Sequence, residues 1–327
     1  MTGASPYSFP PPTTWPPAPP ITKVYTITAQ SRFNIWVNAE AAADPALAGL
    51  LATDVSAVLT APQPILVERA MYLTLAGPDG TRGTPDDVVF GAGHESFGVQ
   101  APAQEWFLAE GATGPYFDLF VLVANPGASD AQIEVNYLLP DGSVIVKPYT
   151  VAASSRFTIW VDQEDARLAD TAVSTTIRSM NEVPVIVERA MWWPGPSSQW
   201  HEAHNAPGAT TTGHRWALAE GEVDATRNLD TYILIANTSA VAADVKVILL
   251  FEDGSSAERT YAGIPARSRF NVPVSAFFSE ADRKRFGTIV ESLGASPAQI
   301  VVERAMYWDT LSQRWAAGTS ALATRLQ

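Results

Sequence analysis

Cysteine is absent from this 327-residue chain. That removes disulfides, thiol catalysis and thiolate metal sites together, though it leaves the compartment open. Lysine is scarce: Lys23, Lys147, Lys246 and Lys284 are the only four among 21 basic residues. Against them stand 34 acidic residues, for a net charge of −13. Such a chain repels phosphate backbones and anionic lipid surfaces, which argues against nucleic acid as a partner. No apolar run reaches the ~18 residues of a membrane-spanning helix, so membrane insertion is not expected. The charged fraction is only 17% beside 46% hydrophobic residues, the composition of a globular chain. A basic n-region and an apolar h-region, the marks of a signal peptide, are both missing. So are a nucleophile elbow, a phosphate loop and a dinucleotide fingerprint, and nothing positive points to an enzyme.

What is present is repetition. Val67-Glu68-Arg69-Ala70-Met71-Tyr72 returns as Val187-Glu188-Arg189-Ala190-Met191-Trp192 and as Val302-Glu303-Arg304-Ala305-Met306-Tyr307. Ahead of each stands Ser31-Arg32-Phe33, Ser155-Arg156-Phe157 or Ser268-Arg269-Phe270. Self-similarity at roughly 110–120 residues means one unit copied along the chain. Within a unit, short alternating apolar runs are separated by turn residues such as Pro140-Asp141-Gly142-Ser143 and Glu252-Asp253-Gly254-Ser255. About seven strands per unit fit an all-β fold of tandem immunoglobulin-like β-sandwiches.

The expected organisation is a proline-rich linker or stalk at 1–20, a partial repeat at 21–104, and full repeats at 105–214 and 215–327. Eight of the first twenty residues are proline, which favours extended polyproline II. The partial repeat begins with a return strand, Lys23 to Thr28, and lacks the opening strands. Half a sandwich exposes a sheet face, so its missing half is expected either from a neighbouring chain or from a longer protein of which this is a fragment.

Trp106-Phe107-Leu108-Ala109-Glu110-Gly111, repeated as Trp216-Ala217-Leu218-Ala219-Glu220-Gly221, joins the Leu-Pro-Asp-Gly-Ser, Ser-Arg-Phe-x-Ile-Trp-Val and Val-Glu-Arg-Ala-Met-Trp phrases. Together they resemble an uncharacterised repeat domain found near the C-terminal ends of large secreted or surface proteins of bacteria. The resemblance covers 21–327. It implies an extracellular, cell-surface β-rich array and carries no catalytic residues over.

Four groups of residues are candidates for chemistry. Arg32, Arg69, Arg156, Arg189, Arg269 and Arg304 with Glu68, Glu188 and Glu303 read as structural ion pairs that lock each sandwich. Adjacent Glu and Arg on a strand face opposite ways, so each must find its partner elsewhere. In particular, Arg156 or Arg189 is expected to pair with Glu188 or Glu110. Trp192, Trp193, Trp200, Tyr307, Trp308 and Trp315 form patches that suit stacking on sugars, or packing between units. Asp79, Asp86 and Asp87, on a glycine-rich insertion, offer oxygens of the kind Ca²⁺ prefers, without EF-hand spacing. His94-Glu95 and His201-Glu202 sit at matching places, with His204 nearby, but lack zinc-protease spacing. The expected function is a non-catalytic structural or adhesive module that self-associates or stacks with neighbouring domains and has no resident cofactor, the insertion being a solvated turn with Ca²⁺ binding as its alternative. The alternative is a carbohydrate-binding module that uses the Trp/Tyr patches on a polysaccharide.

Overall fold

A computed structural model describes residues 20–51, 53–81, 83–194, 200–310 and 313–327. The proline tract, apart from Pro20, lies outside the described residues. The fold is all-β with antiparallel sheets. A hairpin of β1 (Glu68–Leu75) and β2 (Val88–Phe97) comes first.

Eight strands follow in 105–207: β3 (Glu105–Leu108), β4 (Asp118–Asn125), β5 (Ala131–Leu138), β6 (Val144–Val151), β7 (Ser155–Trp160), β8 (Ser174–Ser179), β9 (Ile186–Trp193) and β10 (Glu202–Pro207). They form two four-stranded sheets, ordered β3-β8-β5-β6 and β10-β9-β4-β7. One buried cluster draws on both sheets, with Leu108, Val121, Ile133, Tyr137, Ile159, Ile177 and Val187 among its members.

The remaining strands are β11 (Arg215–Leu218), β12 (Glu222–Val223), β13 (Asp230–Asn237), β14 (Ala243–Phe251), β15 (Ser256–Ile264), β16 (Ser268–Pro273), β17 (Lys284–Ser292), β18 (Ile300–Thr310), β19 (Gln313–Leu322) and β20 (Thr324–Arg325). Their sheets run β15-β14-β17-β11-β20, with β12 on β17, and β16-β13-β18-β19. A second cluster, including Trp216, Ile233, Val247, Val272, Val290 and Val302, fills the space between them.

The repeated phrases have local causes. In both hairpin turns the glycine takes positive φ, +84° at Gly142 and +82° at Gly254, where a side chain would be strained. The preceding Asp141 and Asp253 carboxylates accept the amides of Ser143 and Ser255. Each Ser-Arg-Phe phrase follows a left-handed residue, Gln30, Ser154 or Arg267. Its serine hydroxyl donates 2.7 Å back to the carbonyl three residues earlier in all three copies. Asn125 and Asn237 close the neighbouring loop, each Nδ2 donating to three carbonyls.

The partial repeat departs from expectation. Lys23 to Thr28 is not a strand, and among the described residues of 20–67 the regular elements are a helix over Val37–Ala43 and a 3-10 turn over Pro45–Leu50. In the first full copy β6 pairs with β5, and β7 with β4. The described residues of 20–104 hold no counterpart of β4 or β5, and among them these segments have no strand to pair with. Among the described residues, all but six of the exposed large hydrophobics fall in 21–97. Ile35 is 39% exposed where its counterpart Ile159 is 1% exposed. Met71 is 45% exposed where Met191 is 1% exposed. Trypsin should therefore cleave after Lys23 and Arg32 before it cuts within the sheets of 105–327. Mass spectrometry of timed digests reads the order directly.

Candidate functional site

The densest polar cluster lies where the two full copies meet. Arg189, on β9, is fully buried. Its Nη2 stands 2.7 Å from Glu110 Oε2, in its own copy, and its Nη1 donates 2.5 Å to Glu303 Oε2, in the next. Glu303 turns its other oxygen to the Ala109 amide at 2.7 Å. Burial alone would lower the Arg189 pKa, but the two carboxylates offset it and hold the guanidinium charged. Burial likewise raises Glu303, against the pull of Arg189. Arg269, on β16, also crosses the joint and donates to the carbonyls of Ala109 and Val173. Burial pushes it down to about 10.

Around this centre, Tyr307 Oη donates 3.1 Å to Glu110 Oε1 and lies 3.3 Å from His204 Nε2. His204 Nδ1 meets Ser320 Oγ at 3.3 Å. Beside them Trp193, Leu234, Ala305 and Tyr307 form an apolar cluster joined by Tyr116, Phe117, Tyr232 and Trp315. Trp193 Nε1 donates to the Trp315 carbonyl, 2.7 Å away.

The first joint repeats the plan. Arg69 Nη1 donates 2.8 Å to Glu188 Oε2, and Arg156 Nη1 donates 2.9 Å to Asp54 Oδ2. His94 bonds the Asn205 side chain. Strand register explains the correspondence. His94 lies opposite Met71 in the hairpin, and His204 lies opposite Met191. The sequence alignment of His94 with His201 is therefore corrected to His204. Asn205 and Ser320 are likewise equivalent, each facing the imidazole of the copy before it.

The expected Arg189–Glu110 pair is present. Glu188 instead serves Arg69, and Arg156 serves Asp54. The arginines that were expected to lock single sandwiches bind one copy to the next. Arg304 repeats the intra-copy half of the pattern, 2.5 Å from Glu220, but the Glu220 side chain is 70% exposed against 3% for Glu110. Arg32 and Glu68, the equivalents of Arg269 and Glu303, are exposed. The inter-copy pairing was missed because the Val-Glu-Arg recurrence reports residue type and not partner.

Of the aromatic candidates, Trp193 and Tyr307 are buried in the joint, and Trp315 stacks on Tyr307 with centroids 5.1 Å apart. Trp308 is half-buried. Trp192 and Trp200, also half-buried, have centroids 5.1 Å apart on the outer sheet face. On the insertion, Asp79, Asp86 and Asp87 each accept an amide of their own loop, from Thr81, Asp79 and Gly83. Among the described residues no three acidic or histidine side chains converge on a metal-sized site, and no helix is long and apolar enough to cross a membrane.

No family model matches the chain, and no curated protein does. A crystal structure of Thermotoga maritima 1070 aligns at 15% identity and a TM-score of 0.31, over 34% of this chain and 97% of its own. The Anabaena sensory rhodopsin transducer aligns at 23% identity and a TM-score of 0.24, over 28% of this chain and 99% of its own.

Two measurements check the joint. Arg189→Met strands two buried carboxylates and should cost about 3–5 kcal/mol, whereas Arg304→Met, whose partner is solvated, should cost about 1 kcal/mol. Denaturant melts of the full chain compare them. His204 is held well below its ordinary pKa by burial, helped by Arg189 and His94. The unfolded chain then binds a proton that the folded one does not, so stability falls as pH drops below about 6.5. His204→Gln should remove about one proton of that pH dependence, or about 1.4 kcal/mol per pH unit, in melts between about pH 5 and 6.5.

Proposed function

We propose that this chain is a non-catalytic structural module. On this reading it is a tandem array of immunoglobulin-like β-sandwich repeats, two complete and one partial, stacked as an extracellular spacer or surface array. One observation carries it: the same Arg-to-Glu connection, with the same imidazole-to-amide or imidazole-to-hydroxyl contact beside it, occurs at two successive joints. A single ligand site has no reason to recur at the copy spacing, whereas a connector does. The surface placement rests on the resemblance of the repeat phrases to those of secreted bacterial proteins. The exposed Arg32 and Glu68 at one end, and the solvated Glu220 beside Arg304 at the other, favour self-association end to end.

Small-angle scattering with light scattering tests the stacking. Because the joint's charges are buried, the separation of the two full copies should stay fixed from about 0.1 to 1 M salt. Copies that tumble independently would refute the reading.

Binding of polysaccharide through Trp192 and Trp200 is a second reading, favoured by their half-buried pair on an outer face. A glycan array, with Trp192→Ala as control, separates the two.

A further inference from the structure

We infer that residues 21–97 form a docking site for the opening half of another copy of this repeat, presented by a second polypeptide chain. The inference rests on the stacked-repeat reading and names its partner. Three features define the occupant.

The first is apolar shape. Ile27, Ile35, Val37 and Met71 are exposed, while their counterparts Val151, Ile159, Val161 and Met191 are buried. In the first full copy β4 and β5 supply the pairing partners of the strands that carry three of those residues, since β7 and β9 flank β4 and β6 pairs with β5. The docking face therefore asks for strands of that kind.

The second is backbone hydrogen bonding. Residues 31–37 match β7 and its following residue, and they keep the left-handed turn and the serine bond that precede β7 in the full copy. Residues 31–35 lie outside any strand or helix, while the Trp36 carbonyl accepts the Glu40 amide and Val37 opens a helix. The stretch 31–35 is therefore the one that could pair with a new edge.

The third is charge. Arg189 faces two carboxylates, one from the next copy and one from its own Leu-Ala-Glu-Gly segment. Among the described residues Arg69 pairs with one carboxylate, Glu188, beside a bond to the Ser96 hydroxyl, and its side chain is 40% exposed. A strand set carrying a Leu-Ala-Glu-Gly segment would add the second carboxylate and bury the arginine.

A synthetic peptide with the sequence of residues 105–127, which contains the Trp-Phe-Leu-Ala-Glu-Gly strand and β4, serves as the probe against the intact chain. It should bind at one per chain by calorimetry and slow tryptic cleavage after Lys23 and Arg32 about tenfold or more. The same peptide with Glu110→Gln should bind about tenfold more weakly. That change sits in the probe, so it cannot unfold the protein. No binding would overturn the inference, as would equal binding by the Glu110→Gln or a scrambled peptide. Failure here with an unchanged scattering separation leaves the stacked array standing; loss of that separation removes both.

Discussion

A guanidinium taken fully out of water must be matched by carboxylates that are themselves held, and Arg189 sets that condition for the molecule. Removing a charge from water costs several kcal/mol, and only close, well-placed counter-charges recover it. Here one comes from Glu110, in the same copy, and the other from Glu303, more than a hundred residues on. Satisfying Arg189 fixes where the second copy sits. The aromatic cluster of Trp193, Phe117, Tyr307 and Trp315 then packs in the space that this placement defines.

The connection follows from the geometry of a strand. Adjacent side chains on β9 and β18 leave opposite faces of the sheet, so the Glu and the Arg of one Val-Glu-Arg phrase cannot meet. Glu303 looks back to the copy before it, and Arg304 turns to its own copy's far end. Each phrase therefore carries two halves of two different joints. The middle copy shows both roles, with Glu188 receiving Arg69 from one side and Arg189 reaching Glu303 on the other.

Much of this was legible in the sequence. The all-β class and the two hairpin turns follow from alternation and turn chemistry, and the structure keeps them. Arg189 meets Glu110 as strand geometry anticipated, whereas Arg32 and Glu68 are exposed. What period and spacing could not reveal was which copy supplied the partner, because recurrence looks alike whether a pair closes one unit or links two. The histidine correspondence failed for a related reason. Residue order after β9 aligned His94 with His201, whereas hairpin register, set by backbone pairing to Met71 and Met191, aligns it with His204. The missing strands at 20–67 show the same limit: Ile35 has strand-forming neighbours in sequence but no partner in space.

Charge balance ties the two phrases together at the second joint. At the second joint Glu303 arrives beside Glu110, and Arg189 alone would leave one negative charge in excess. Arg269 arrives with it, donating to the Ala109 carbonyl, so two arginines and two carboxylates are buried as a neutral set. The first joint is neutral as well, with Arg69 on Glu188 and Arg156 on Asp54. Arg304 and Glu220 already balance each other at the far end. A further glutamate there would be tolerated only if an arginine came with it. At the second joint the two phrases therefore act together, since Arg269 of Ser-Arg-Phe brings the cation that offsets the carboxylate Glu303 of Val-Glu-Arg.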